Sequence, residues 1–215
     1  MQAPYSCIVT PRRRLTREES KARTRQELLR AASRLFLRNG FVDTSLSDIA
    51  EEAGLTKGAV YSNFESKEDL FLALLAGDGE RPYAVHEDLA PSDLSMATGP
   101  DPVARARAWG EHIGGLQPNR RNVALFLEMN AFALRNERTR TSVADHNRLF
   151  FVELGTRLRD LLDAPDADPH QLGIIAQSLY VGLMMHSAFN GDVDEELFAV
   201  AYQSLAAAAL RPTRT

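Results

Sequence analysis

GFVDTSLSDIAEEAGLTKGAVYSNFESKEDLF, residues 40–71, carries the pattern that decides how this chain is read. Ala50, Gly54 and Val60 stand in it at offsets of four and six. Two short helices that cross closely need a small residue where they meet, and Ala50 supplies one. The tight turn between them needs positive φ, which glycine adopts at least cost, and Gly54 sits there. The second helix must then return an apolar side chain onto the first, as Val60 is placed to do. Ile49, Ala53 and Leu55 complete a small core with Leu35 and Phe36. A generic helical hairpin would show any one of these features. All three together, with Thr56 as a helix cap and a basic segment upstream, point to a helix-turn-helix that reads DNA.

Working outward, nearly every segment has helical periodicity, and strand alternation is absent beyond a few residues. Thr16 and Glu19 form a capping box for a first helix whose apolar stripe is Leu28, Leu29, Ala32, Leu35 and Phe36. Gly40 is placed as its left-handed C-cap. Ser45 with Asp48, Thr56, and Ser66 with Asp69 then open helices at about 46–53, at 56 to about 64, and from 66 onward. The stretch 77–102 is rich in Gly, Pro, Asp and Ser and predicts a short helix at 83–89 followed by a mobile loop. Five more helices follow at 102–116, 120–136, 138–162, 169–189 and 195–210. Gly114-Gly115 with Pro118, Pro165, Asp168-Pro169 and Asn190-Gly191 mark their breaks. The expected architecture is all-α: a flexible basic arm (1–15), a three-helix DNA-binding domain (16–66) and a larger helical ligand-binding and dimerisation domain (67–215).

The 215 residues are 44% hydrophobic, enough for a sizeable core, and the net charge is −4. Charge is unevenly spread. Thr10 to Arg38 carries a net +7, and Ala76 to Thr215 a net −6. Such asymmetry suits a chain that meets a polyanion at one end only, although a solvated basic helix face would look the same. Cys7 is the single cysteine, so no intrachain disulfide forms. No signal peptide is visible. Residues 172–191 hold no charge, but Gln177, Ser178, His186, Ser187 and Asn190 interrupt them and no Lys or Arg flanks them. A helix buried on both sides fits better than a membrane span, and a cytoplasmic protein is expected.

The stretch from Leu28 to Leu75 resembles the DNA-binding domain of the TetR family of bacterial regulators. The remainder agrees with that family in length and helical character. Read physically, the start of the third helix enters the major groove, where its free N–H groups and the Thr56 hydroxyl suit a phosphate. Lys57 reaches a phosphate or a guanine edge. Gly58 and Ala59 let the backbone approach the bases, and the Ala59 methyl can meet a thymine methyl. The resemblance implies that Tyr61 contacts a phosphate and that Lys67 contacts the DNA backbone. Ser62 and Asn63 replace the family's more usual aromatic and His, which leaves base preference open. Ser45 and Ser47 are placed to donate to phosphates, though helix capping accounts for Ser45 equally well. Phe64 fills the core. Arg12, Arg13 and Arg14 suit either a minor-groove arm or a solubilising tail.

A two-fold dimer reading a palindromic duplex is the economical arrangement for such a domain. The resemblance implies that the last two helices form the dimer interface, with Ile175, Leu179, Gly182, Phe198, Ala201 and Leu205 as candidates. An ordinary monomer core is the alternative. The middle helices carry Trp109, Phe126, Met129, Phe132, Phe150 and Phe151, with His112, Asn130 and His146 among them, and Met184 is a further candidate. These suit a pocket for an apolar or amphipathic effector, and equally a plain core. The loop 77–102 would gate that pocket. No catalytic residues, cofactor or metal are expected. The five histidines are scattered, no nucleophile motif occurs, and His86, Glu87 and Asp88 do not converge on one helix face.

Overall fold

A computed structural model of the chain describes residues 16–76, 97–116 and 119–210. The basic arm, the helix expected at 83–89 and the acidic cluster beside His86 lie outside the described residues. Within them the chain forms α1 (Arg17–Asn39), α2 (Leu46–Glu52), α3 (Lys57–Tyr61), α4 (Lys67–Leu75), α5 (Pro102–Gly115), α6 (Arg120–Arg135), α7 (Glu137–Leu161), α8 (Pro169–Asn190) and α9 (Glu195–Ala209). No strand occurs among the described residues.

The local chemistry of the helix starts is as the sequence predicts. Thr16 and Glu19 exchange hydrogen bonds at the head of α1, and Ser45 and Asp48 do so at the head of α2. Gly54 takes φ +66°, and the Leu55 N–H donates to the Ala50 carbonyl at 2.9 Å, closing the turn between α2 and α3. Gly40 differs. Its φ is positive at 87°, but ψ is 163°, so the chain leaves α1 extended rather than in a left-handed cap. The third helix is also shorter than expected, ending at Tyr61 instead of about residue 64. The Ser62 hydroxyl and the Asn63 amide both donate to the Ala59 carbonyl, at 3.0 and 2.8 Å, and side chains that compete for a backbone acceptor stop a helix.

Behind this unit, α5 packs along α9, and α7 packs along α8. Gly155 of α7 and Gly173 of α8 make the second contact possible. A Cβ on Gly155 would land on the carbonyl oxygen of Pro169, and one on Gly173 would land on that of Phe151. The two backbones touch, and only glycine leaves room. On α5 and α9, Trp109 meets Tyr202 edge-on with centroids 4.6 Å apart. The Tyr202 hydroxyl donates to the Ala176 carbonyl at 2.9 Å, and burial pushes its pKa well up. Arg105 fastens the head of α5 to the end of α7, donating to the Leu161 carbonyl at 2.7 Å and pairing with Asp163 at 2.6 Å. Of the described helices, α8 is long and apolar enough to cross a membrane. Here Leu172, Ala176, Tyr180 and Met184 bury one face of it in the protein.

The expected domain boundary at residue 66 falls between helices that share a core. A boundary at residue 66 assigns α4 to the C-terminal domain, yet Leu70, Phe71, Leu74 and Leu75 are buried in the same core as Leu28, Phe36 and Ile49. Leu125 and Met129 of α6 enter that core too. The apolar side of α4 covers α1 and packs into the same core as α2 and α3.

The glycine crossing gives a direct test. Gly173→Ala forces a methyl group into backbone and is expected to destabilise the fold by about 2–3 kcal/mol or more. Urea unfolding followed by circular dichroism measures the loss.

Candidate nucleic-acid interface

Thr56 oxygen accepts from the Ala59 N–H at 3.2 Å and so sets where α3 begins. That start fixes which residues face out. Val60 is fully buried, whereas Thr56, Lys57, Gly58, Tyr61 and Ser62 lie on the surface. Tyr61, a large aromatic, is 60% exposed. Ala59 and Asn63 are half-buried, and Phe64 is buried. At the head of α2, Ser45 is exposed and Ser47 half-buried. The Asp48 carboxyl, held below its ordinary pKa by the Ser45 backbone and hydroxyl, occupies the Ser45 N–H.

Two predicted contacts are placed differently from the expectation. The Asn63 amide nitrogen turns back onto the Ala59 carbonyl, and its Oδ1 is buried without a hydrogen bond. A base edge therefore meets Asn63 only after its side chain is redirected. Lys67 points inward. Its ammonium donates to the carbonyls of Phe41, Val42 and Thr44 at 2.6, 2.9 and 2.9 Å and lies 4.6 Å over the Phe41 ring. An ammonium has three donors, and all three are engaged. Burial lowers the Lys67 pKa, while Glu68, Asp43 and Glu128 pull it the other way. In this arrangement Lys67 positions the loop before α2 rather than facing solvent.

The same loop is held from its other side by Glu128 of α6, a residue the sequence did not single out. Its carboxylate accepts from the Phe41 N–H at 2.7 Å and, more weakly, from the Val42 N–H at 3.4 Å. Nothing in the spacing of α6 announces a bond across 87 positions. Arg34 and Arg38 of α1 close the opposite flank, both pairing with Glu52 of α2, at 3.0 and 2.9 Å.

The expected effector residues separate into two sets. Phe126, Met129 and Asn130 line a cavity of about 140 Å³ between α4, α6, α7 and α8. Trp109, His112, Phe132, His146, Phe150 and Met184 do not line it. Trp109 is spent against Tyr202, Met184 is in the C-terminal core, and Phe132 stacks on Phe41 with centroids 4.9 Å apart. Phe151, one of the aromatics the middle helices offer for a pocket, lines it too, whereas Phe71, Leu75 and Asn147 line it unforeseen, because it forms where four helices meet.

The expected dimer residues also divide. Ile175 is 48% exposed and Gly182 lies open, with Leu179 and Ala201 half-buried. Phe198 is fully buried and Leu205 is buried, both in the C-terminal core of this chain. The apolar face of α9 packs inward on α5, which leaves Leu197 and Val200 on the outside. Among the described residues no three His, Cys, Asp or Glu gather closely enough to hold a metal.

Comparison with known proteins places this geometry. The family model for bacterial regulatory proteins, tetR family, matches residues 28–74. The HTH-type transcriptional regulator TtgR of Pseudomonas putida is 42% identical over 82 residues, which are 38% of this chain and 37% of TtgR. The chain thus spans little more than a third of the length of that relative. The HTH-type transcriptional repressor KstR2 of Rhodococcus jostii is 26% identical over 177 residues, 82% of this chain and 73% of KstR2. Among solved structures, Salmonella enterica GusR superposes with a TM-score of 0.64 at 21% identity, over 92% of this chain and 99% of GusR. A putative TetR-family transcriptional regulator from Mesorhizobium loti gives 0.67 at 18% identity, over 91% and 98%. These two likenesses establish the fold.

The Glu52 clamp yields a pH test. Hydrogen bonds from Arg34 and Arg38 hold its carboxyl below the ordinary value. Its contribution to stability is therefore complete above the ordinary carboxylate range and is lost as pH falls through the depressed value. Urea midpoints of the chain and of Glu52→Gln are expected to differ at about pH 7 and to converge near about pH 2.

Proposed function

We propose that this chain, whose N-terminal domain belongs to the tetR family of bacterial regulatory proteins, is a homodimeric, sequence-specific DNA-binding regulator that a small molecule releases from a palindromic operator. The observation that carries the reading is the outward face of α3. A five-residue helix buries Val60 and presents Lys57, Gly58 and Tyr61 together. A large exposed aromatic beside a lysine and a glycine is poor surface for a monomer and good surface for a phosphate backbone and a groove. Ser45 and Ser47 at the head of α2 flank it.

The dimer reading is supported by the outer faces of α8 and α9. Ile174, Ile175, Gly182, Leu197 and Val200 are apolar or small and lie open on the two helices. Two copies joined there by a two-fold axis would carry two reading helices at a set separation. A ligand that binds better to a conformation with the wrong separation lowers operator affinity. The relatives named as repressors, KstR2 among them, favour repression as the outcome. In this reading the protein is cytoplasmic and carries no catalytic activity, and α8 serves packing rather than a membrane.

Selection of bound duplexes from a random pool tests the reading and is expected to return a palindrome. Against that duplex, Lys57→Ala and Tyr61→Ala are each expected to cost roughly 1–3 kcal/mol with little change in sequence preference, and Lys57→Ala to reduce the salt slope by about 1. Unchanged affinity in both would remove α3 from the interface. Ile175→Glu is expected to yield a folded monomer by analytical ultracentrifugation with operator affinity sharply reduced; a dimer that persists would move the interface elsewhere.

A further inference from the structure

We propose that the releasing ligand is a small uncharged aromatic, a single substituted ring with one O–H or N–H donor, which sits in the cavity beside α4 and donates to Asn147. This rests on the reading of the chain as a ligand-released regulator and names the chemical class it answers to.

Size comes first. The cavity holds about 140 Å³, and an apolar cavity of about 150 Å³ takes one benzene ring. A single ring with a small substituent fits, and the polycyclic or long-chain apolar ligands that larger pockets accept do not. Shape and polarity agree. Phe71, Phe126 and Phe151 contribute three aromatic walls, with Leu75 and Val181 between them. Ring edges and faces at such walls favour an aromatic guest over an aliphatic one of equal volume.

The described wall is neutral. None of its described lining residues is Asp, Glu, Lys, Arg or His. A carboxylate or ammonium entering here would lose its hydration and gain no counter-charge. The polar groups of the wall are neutral amides, those of Asn130, Asn147 and Gln177. Asn147 Oδ1 is buried and accepts no hydrogen bond; Gln177 Oε1 on the same wall also accepts none, but Gln177 has a partner elsewhere in the chain. The other wall asparagine is already satisfied, its amide donating to the Phe126 carbonyl at 2.7 Å. A donor on the ring edge completes Asn147, and a ligand lacking one leaves its oxygen dry and unsatisfied.

Position makes the site regulatory. Phe71 and Leu75 belong to α4 and are also part of the reading unit's core. Met129 lines the cavity from α6, one residue after Glu128, which grips the loop before α2. A guest that spreads these walls moves α4 and α6 against the reading head.

Titration calorimetry on the full-length chain without DNA tests the proposal, with 4-methylphenol, toluene and 4-methylbenzoate as probes that share one tolyl ring. The expected order is 4-methylphenol tightest, toluene about tenfold weaker for want of the donor, and 4-methylbenzoate weakest. Asn147→Leu, close in volume, is expected to keep toluene binding and to bring the phenol-to-toluene ratio to near one. Val181→Phe, which fills the space, is expected to abolish binding of all three; thermal unfolding confirms that both variants fold. Toluene or 4-methylbenzoate binding as tightly as the phenol, a ratio unmoved by Asn147→Leu, or no binding of 4-methylphenol at millimolar concentration would overturn the proposal. A chain that selects a palindrome but ignores 4-methylphenol loses only this inference. A chain that binds 4-methylphenol but no duplex loses the regulator reading instead.

Discussion

The ring of Phe41 joins the two halves of this protein into one solid. It leaves the end of α1 and is met by Phe36 at 5.2 Å, by Phe71 of α4 at 5.8 Å and by Phe132 of α6 at 4.9 Å between centroids. Lys67 covers the ring with its ammonium. Interiors packed at crystal density do not compress, so helices that share such a cluster move together or not at all. The placement of α2 and α3 relative to the helices behind them depends on this seam.

Around the seam the backbone from Phe41 to Thr44 is gripped by charge. Its carbonyls go to Lys67 and two of its N–H groups go to Glu128. Hydrogen bonds to ionised groups are stronger than neutral ones, and here one partner is on α4 and the other on α6. The loop runs directly into the Ser45 cap of α2. A displacement of either helix therefore reaches the reading unit within a few residues, through backbone rather than through a long chain of side chains. A ligand acts on such a device only to the extent that it binds one arrangement better than the other. A cavity walled by both helices is where that difference is most readily generated.

The reading unit was legible because its constraints are local. Ala50, Gly54 and Val60 each answer a demand set within one turn of the chain, and the Thr16–Glu19 and Ser45–Asp48 boxes lie three residues apart. The candidate site was legible only in its outward half. Thr56, Lys57, Gly58 and Tyr61 face solvent because Val60 faces in. Asn63 and Lys67 turn away from that face, each toward backbone carbonyls whose positions no helical period predicts. Phe198 and Leu205 carry the same apolar signal whether they face a partner or their own α5, and in this chain both lie in the C-terminal core. Phe132 reads as a pocket residue by type, yet its place is beside Phe41.

By itself, the sequence determined an all-helical chain, the limits of most of its helices and the turn that makes a helix-turn-helix. These follow from caps, glycines and apolar periods, which act between residues close in the chain. The tertiary structure alone decided that α4 belongs to the reading core, that Glu128 holds the loop before α2, and that a benzene-sized space opens beside Asn147. Those depend on contacts between residues far apart along the chain, where the reward for meeting lies in close packing and in satisfying buried polar atoms. Neither term leaves a period in the sequence, so neither is visible until the helices are in place.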